Sequence, residues 1–143
     1  MRNRLFAVLA VVVVGVALAA PLAAQSLVLK ATIPFEFNFS GKVMPAGEYL
    51  IQADGGSAAL RLKNYESRVA AISLAFHPSG ERRTAGEPTL TFNRYGDQYF
   101  LSNVWAGSTA SGLEVPMTRA ERELAKVASA QKYEILAVMA AGF

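Results

Sequence analysis

The chain has 143 residues, no cysteine, one histidine and a formal net charge of +3. Disulfides and cysteine-based metal sites are therefore excluded. Arg2 and Arg4 supply two of those three charges, so the remainder is near neutral and gives no support for a nucleic-acid partner.

The chain opens with Arg2 and Arg4, followed by an uncharged apolar run from Leu5 to Ala20 and then by Pro21 and small residues. A basic start, an apolar middle and a small-residue exit form the pattern of a secretory signal peptide. Cleavage is expected after Ala24. The alternative cut follows Ser26, where Ala24-Gln25-Ser26 gives small residues at both flanks. Leu5 to Ala24 is long enough for a retained anchor, but Pro21 and the exit site favour removal. Residues 25–143 then form a single β-rich domain, exported to the periplasm or beyond, with no stable membrane span. A domain of that size buries roughly 65% of its unfolded surface, enough for a core without disulfides.

Beyond Ser26 the dominant period is two. Leu27 to Ile33 reads as a first strand, ended by Pro34, which lacks an amide donor. In "FEFNF" the residues Phe35, Phe37 and Phe39 share one side of a half-buried strand. Pro45 and Gly47 bend the chain into a strand from Glu48 to Ala53. Asp54-Gly55-Gly56 then forms a hairpin turn to Ala58–Lys63. Arg68 to Phe76 is apolar enough to be expected as a central strand. His77 to Pro88 is the longest polar loop.

Thr89 to Trp105 is the clearest unit. A two-residue turn at Gly96-Asp97 sets Tyr95 against Gln98, Arg94 against Tyr99 and Phe92 against Leu101. One face then carries Leu90, Phe92, Arg94, Tyr99, Leu101 and Trp105, the better core face. The other carries Thr91, Asn93, Tyr95, Phe100, Ser102 and Val104. The connector "AGSTASG" follows.

Thr118-Arg119-Ala120-Glu121 is a capping box, in which Thr118 accepts from the third helical amide and Glu121 reaches back. The helix it opens has a narrow apolar stripe of Ala120, Leu124 and Val127, suited to a sheet edge. Lys132 to Phe143 returns to strand character, expected as a buried closing strand. Its alternation through Tyr133, Ile135, Ala137, Met139, Ala141 and Phe143 is also similar to the last strand of outer-membrane barrels, the basis of a minor alternative: a small barrel associated with the outer membrane. The fold expected is mainly β: a single antiparallel β-sandwich or barrel-like domain of about seven to nine strands, with one short helix near the C-terminus.

Catalytic chemistry finds no constellation in these residues. His77 is alone in its loop, so neither a metal set nor a serine–histidine pair can be assembled around it. Asp54 and Asp97 belong to glycine turns, Glu36 and Glu48 alternate with apolar neighbours, and Glu121 is assigned to its cap. No phosphate loop or dinucleotide motif is present. No catalytic residue, metal site or cofactor is expected, and the chain is read as not an enzyme. The ligand-binding candidates are Arg94, Tyr95, Tyr99, Phe100 and Trp105, whose aromatic faces suit a sugar or peptide, with Arg94 over Tyr99 as a cation–π pair.

Three segments, "IPFEFNFSGKVMPAGEYLI", "FNRYGDQYFLSNVW" and "TRAERELAK", together resemble a family of small secreted β-rich proteins of soil bacteria of the acidobacterial type. The likeness covers nearly all of the chain after the signal segment. It implies one coherent exported domain and brings no activity, cofactor or catalytic residue. The expected function is that of an exported non-enzymatic β-domain with a structural or binding role in the cell envelope or outside the cell. The alternative is a carbohydrate- or peptide-binding module using the 89–105 hairpin aromatics. Expected partners are an envelope component, a glycan or a peptide.

Overall fold

The computed structural model describes residues 26–54, 59–77, 86–107 and 112–140. The expected signal segment, the glycines of the Asp54-Gly55-Gly56 turn, most of the polar loop, most of the "AGSTASG" connector and the end of the expected closing strand, Ala141 to Phe143, lie outside the described residues. The strands are β1 (Leu27–Ile33), β2 (Phe37–Phe39), β3 (Lys42–Met44), β4 (Gly47–Ala53), β5 (Ala59–Asn64), β6 (Ala70–Leu74), β7 (Thr89–Tyr95), β8 (Gln98–Trp105), β9 (Gly112–Glu114), β10 (Gln131–Leu136) and β11 (Val138–Met139). The helix α1 (Arg119–Val127) lies between β9 and β10. Eleven strands among the described residues exceed the seven to nine expected. The surplus comes from β3 and β9, three-residue pieces too short to show a period, and from the division of the last strand into β10 and β11.

The strands form two sheets. Sheet 1 has the order β11-β1-β4-β5-β6, and sheet 2 the order β10-β7-β8-β2-β3, with β9 also beside β8. The two sheets pack face to face and do not close into a barrel. This is the sandwich arm of the expectation. Among the described residues no helix is long and apolar enough to cross a membrane.

Alternation builds the core. Leu29 and Ile33 of β1, Tyr49 and Ile51 of β4, and Leu60 and Leu62 of β5 point inward from sheet 1 and are fully buried. Phe37, Leu90, Phe92 and Val104 meet them from sheet 2 and are equally buried. Each such side chain contributes about 1.5–3 kcal/mol by leaving water. The ring of Phe37 lies edge-on to Tyr49 at 5.3 Å and to Phe92 at 5.4 Å, which locks the two sheets together.

The sandwich has two unlike seams. On one side, the Lys42 ammonium on β3 donates to the Ala70 carbonyl of β6 at 3.0 Å. Phe76 and Glu114 exchange backbone hydrogen bonds at 2.9 and 2.7 Å. Sheet 1 is thereby tied to sheet 2 at both ends of β6. On the other side, β10 belongs to sheet 2 and β11 to sheet 1, and the chain changes sheets at Ala137, whose amide donates to the Pro88 carbonyl at 2.8 Å. There, β1 and β10 are left without a shared ladder.

Two expectations about strand position are corrected. The segment from Arg68 to Phe76 is not central: β6 is the outer strand of sheet 1, and Ile72, Leu74 and Phe76 are all more than half exposed. Its apolar composition is a property of an exposed edge, held by the two ties just described. The last strand is likewise not buried. It divides at Ala137 into two edge pieces, with Leu136, Val138 and Met139 exposed.

Candidate functional site: the hairpin and its surroundings

The turn at Gly96-Asp97 places Tyr95 against Gln98, Arg94 against Tyr99 and Phe92 against Leu101, as its sequence requires. The register then shifts between Thr91 and Phe92, so that Thr91 faces Asn103 and Leu90 faces Val104. One extra residue on β8 reverses the faces beyond it. Val104 joins the core and Trp105, opposite Thr89, moves to the outer face. This is the reverse of the assignment from strict alternation.

The five candidate residues therefore do not make one surface. Arg94 and Tyr99 sit on the core side at the end of the sandwich. The Arg94 guanidinium lies 5.4 Å from the Tyr99 ring centre and its Nε donates to the Gly96 carbonyl at 2.8 Å. The Tyr99 ring also stacks on Phe35 at 3.8 Å and 15°. Tyr133 closes the group edge-on, 5.4 Å from Phe35 and 5.9 Å from Tyr99. The Tyr99 ring is thus engaged by Arg94, Phe35 and Tyr133.

Tyr95, Phe100 and Trp105 lie on the outer face of sheet 2, at 6%, 4% and 7% exposure. Tyr95 and Phe100 meet edge to face at 5.8 Å. The Trp105 ring rests against Gly112 of β9, where a side chain's Cβ would come within 2.7 Å of the indole. An exposed, coplanar stacking platform is not what these residues form.

The cover over this outer face includes α1. Thr118 caps it, its hydroxyl accepting from the Glu121 amide at 3.3 Å. The Glu121 side chain turns to the sheet instead of serving the cap. Its Oε1 accepts from the Asn93 amide at 2.8 Å and from the Tyr95 hydroxyl at 3.3 Å. Lys132 on β10 donates to Asn93 Oδ1 at 2.6 Å, completing a polar chain from helix to sheet edge. Burial, the Glu121 charge and the hydrogen bond to it raise the Tyr95 phenol above its ordinary value. Glu121 is the buried residue of the helix, whereas Val127 of the expected apolar stripe is 82% exposed. Sequence reasoning missed this role because the capping box offered Glu121 a sufficient one. The remaining signal was Asn93 and Tyr95 on the same face of a strand.

His77 is exposed, with Nδ1 3.3 Å from the Gly112 carbonyl. A concavity lies elsewhere, at the open seam. It holds about 300 Å³ and is lined by Lys30, Ala31, Thr32, Glu48, Leu136 and Val138. Lys30 and Glu48 form a surface ion pair of 3.3 Å at its rim, and the Lys30 ammonium also lies 5.2 Å from the Tyr65 ring centre.

Compared with protein-family models, with curated protein sequences and with solved structures, the chain finds no match.

Proposed function

We propose that the chain is an exported, non-enzymatic β-sandwich with a structural or binding role in the cell envelope or outside the cell. The observation that carries this reading is the use made of the polar side chains around the hairpin: they join elements. Glu121 ties α1 to β7 through Asn93 and Tyr95. Lys132 ties β10 to the same Asn93. Asn64 Oδ1 accepts from the amides of Glu66 and Ser67 and so shapes the turn into β6. Side chains tied in this way hold a scaffold, and the exposed apolar residues on sheet 1 give that scaffold surface to offer. The export half of the reading rests on the basic and apolar opening of the chain. A binding role through the hairpin aromatics finds less support, because Tyr95, Phe100 and Trp105 are buried on the outer face of sheet 2.

Intact-mass analysis of the protein from an expressing Gram-negative host tests the export half. The expected product begins at Gln25, or at Leu27 for the alternative cut. A full-length chain confined to the cytoplasm overturns it.

A further inference from the structure

The two sheets differ in what lies on their outer faces. On sheet 2 the outward residues Thr91, Asn93, Tyr95, Phe100 and Trp105 are buried, and α1 is part of their cover. On sheet 1, Leu29, Tyr49, Ile51 and Leu62 point into the core, so the residues that alternate with them point out. The register carries those residues across the face in two rows. One runs Val138, Lys30, Leu50, Lys63 and Ala70, and the next Val28, Gln52, Arg61 and Ile72. Leu74 and Phe76 prolong the apolar edge of this face along β6, and with Ile72 they are more than half exposed.

The chemistry of the face points to its occupant. A sheet face that meets only water reads polar at its outward positions, yet Val28, Leu50, Ile72, Leu74 and Val138 are apolar here. Its charges are of both signs. Lys30 pairs with Glu48 at 3.3 Å and Arg61 with Asp54 at 3.4 Å, while Lys63 has no acid partner among the described residues. Charges so nearly balanced select neither a polyanion nor an anionic membrane. They do suit a second copy, because a twofold axis sets each sign against the other. Both ion pairs are half-exposed, so their partners are exchanged at little cost.

The area is consistent with that partner. Sheet 1 has five strands, and strands spaced about 4.8 Å apart and about 20 Å long give a planar footprint of about 400 Å². Side-chain relief adds to this, and each partner in a standard interface gives roughly 800 Å². The face therefore supports a reversible dimer and not an obligate one.

We propose that the chain forms a weak symmetric dimer through the outer face of sheet 1. The two faces pack as the sandwich packs its own sheets, since the complement of a twisted sheet is another of the same twist. Leu50, Ile72 and Leu74 supply the apolar contact, and Lys63 meets an acid of the partner subunit. The proposal extends the structural half of the reading above, and its test is independent of export.

The test is sedimentation velocity of the folded chain, in which monomer is expected to give way to dimer between about 1 and 300 µM. Leu74→Glu, on the exposed edge of the face, is expected to raise the dissociation constant by about tenfold or more. Its urea midpoint, read at about 1 µM where the monomer prevails, is expected to stay unchanged. The variant keeps the parent's N-terminus, so its loss of the dimer cannot come from the apolar opening of the chain. Amide shifts on dilution of the unmodified chain are expected on β4, β5 and β6, and they decide the matter should the variant not fold. Three results overturn the proposal: a monomer at every concentration, a dimer undiminished in folded Leu74→Glu, or dilution shifts centred on β7 and β10. A monomer that instead sediments with phosphatidylglycerol vesicles would give the face to a lipid surface and overturn the second copy as its occupant. None of these outcomes bears on export, which intact mass measures separately.

Discussion

The Asn93 side-chain amide donates to the Glu121 carboxylate at 2.8 Å, across 28 residues of sequence. This contact, with the Tyr95 hydroxyl at 3.3 Å, fastens the only described helix to the sandwich. A helix of nine residues has little stability of its own in water, and this one turns Val127 outward. Its position on the sheet therefore depends on a polar latch.

Glu121→Ala leaves the Asn93 and Tyr95 donors buried without their acceptor. A loss of about 1–3 kcal/mol is expected from that alone, read as a lower urea midpoint. Exchange of the helix amides is expected to accelerate more than that of the core strands. Glu121→Gln keeps an acceptor oxygen and is expected to lose less. Equal, negligible effects from both variants would contradict the latch.

Alkaline pH probes the same site. The folded state favours the neutral Tyr95 phenol, because burial first, then the charge and hydrogen bond of Glu121, raise it above 10.0. A value raised on folding gives a contribution that is complete below pH 10.0 and lost as pH rises through the folded value. Tyr49, raised chiefly by burial, acts with the same sign. Unfolding free energy is expected to hold below pH 10.0 and fall above it, and Tyr95→Phe is expected to remove part of that fall. The check is urea unfolding at a series of alkaline pH values.

Gly47 opens β4 with φ of +147°, and a Cβ there would lie 2.7 Å from Asn64 Nδ2. Gly47→Val meets both the backbone strain, about 1–3 kcal/mol, and the displacement of a buried side chain that shapes the next turn. Loss of cooperative unfolding, or a markedly lower melting temperature, is expected in calorimetry. Full stability combined with a selective binding defect would mean that Gly47 belongs to a site instead.

The exposed row on β6 gives a contrasting expectation. Ile72→Thr changes a side chain that is 56% exposed on an outer strand. The effect on stability is expected within about 0.5 kcal/mol, whereas a central strand would lose more. Urea unfolding of the variant separates the two placements.

Much of this fold was legible in the sequence where local chemistry decides the outcome. Pro34 ends β1, Gly96-Asp97 sets the hairpin, and Thr118 starts the helix, each through groups within a few residues of one another. What was not legible depends on distant partners. The extra residue in β8 has no mark in composition, yet it exchanges Val104 for Trp105 in the core. Arg68 to Phe76 reads as central because its apolar content is local, while its edge position depends on the long-range ties to Lys42 and Glu114. The hairpin forms with the register that its Gly96-Asp97 turn dictates. What covers Tyr95 on that hairpin, however, depends on Glu121, 26 residues further along the chain.

The most direct test of the central claim is fractionation of the native host, followed by a carbonate wash of the membranes. An exported domain with no membrane span is expected in the periplasmic or external soluble fraction, and any envelope-associated portion is expected to wash free. Retention in the outer-membrane pellet after the wash would contradict the account.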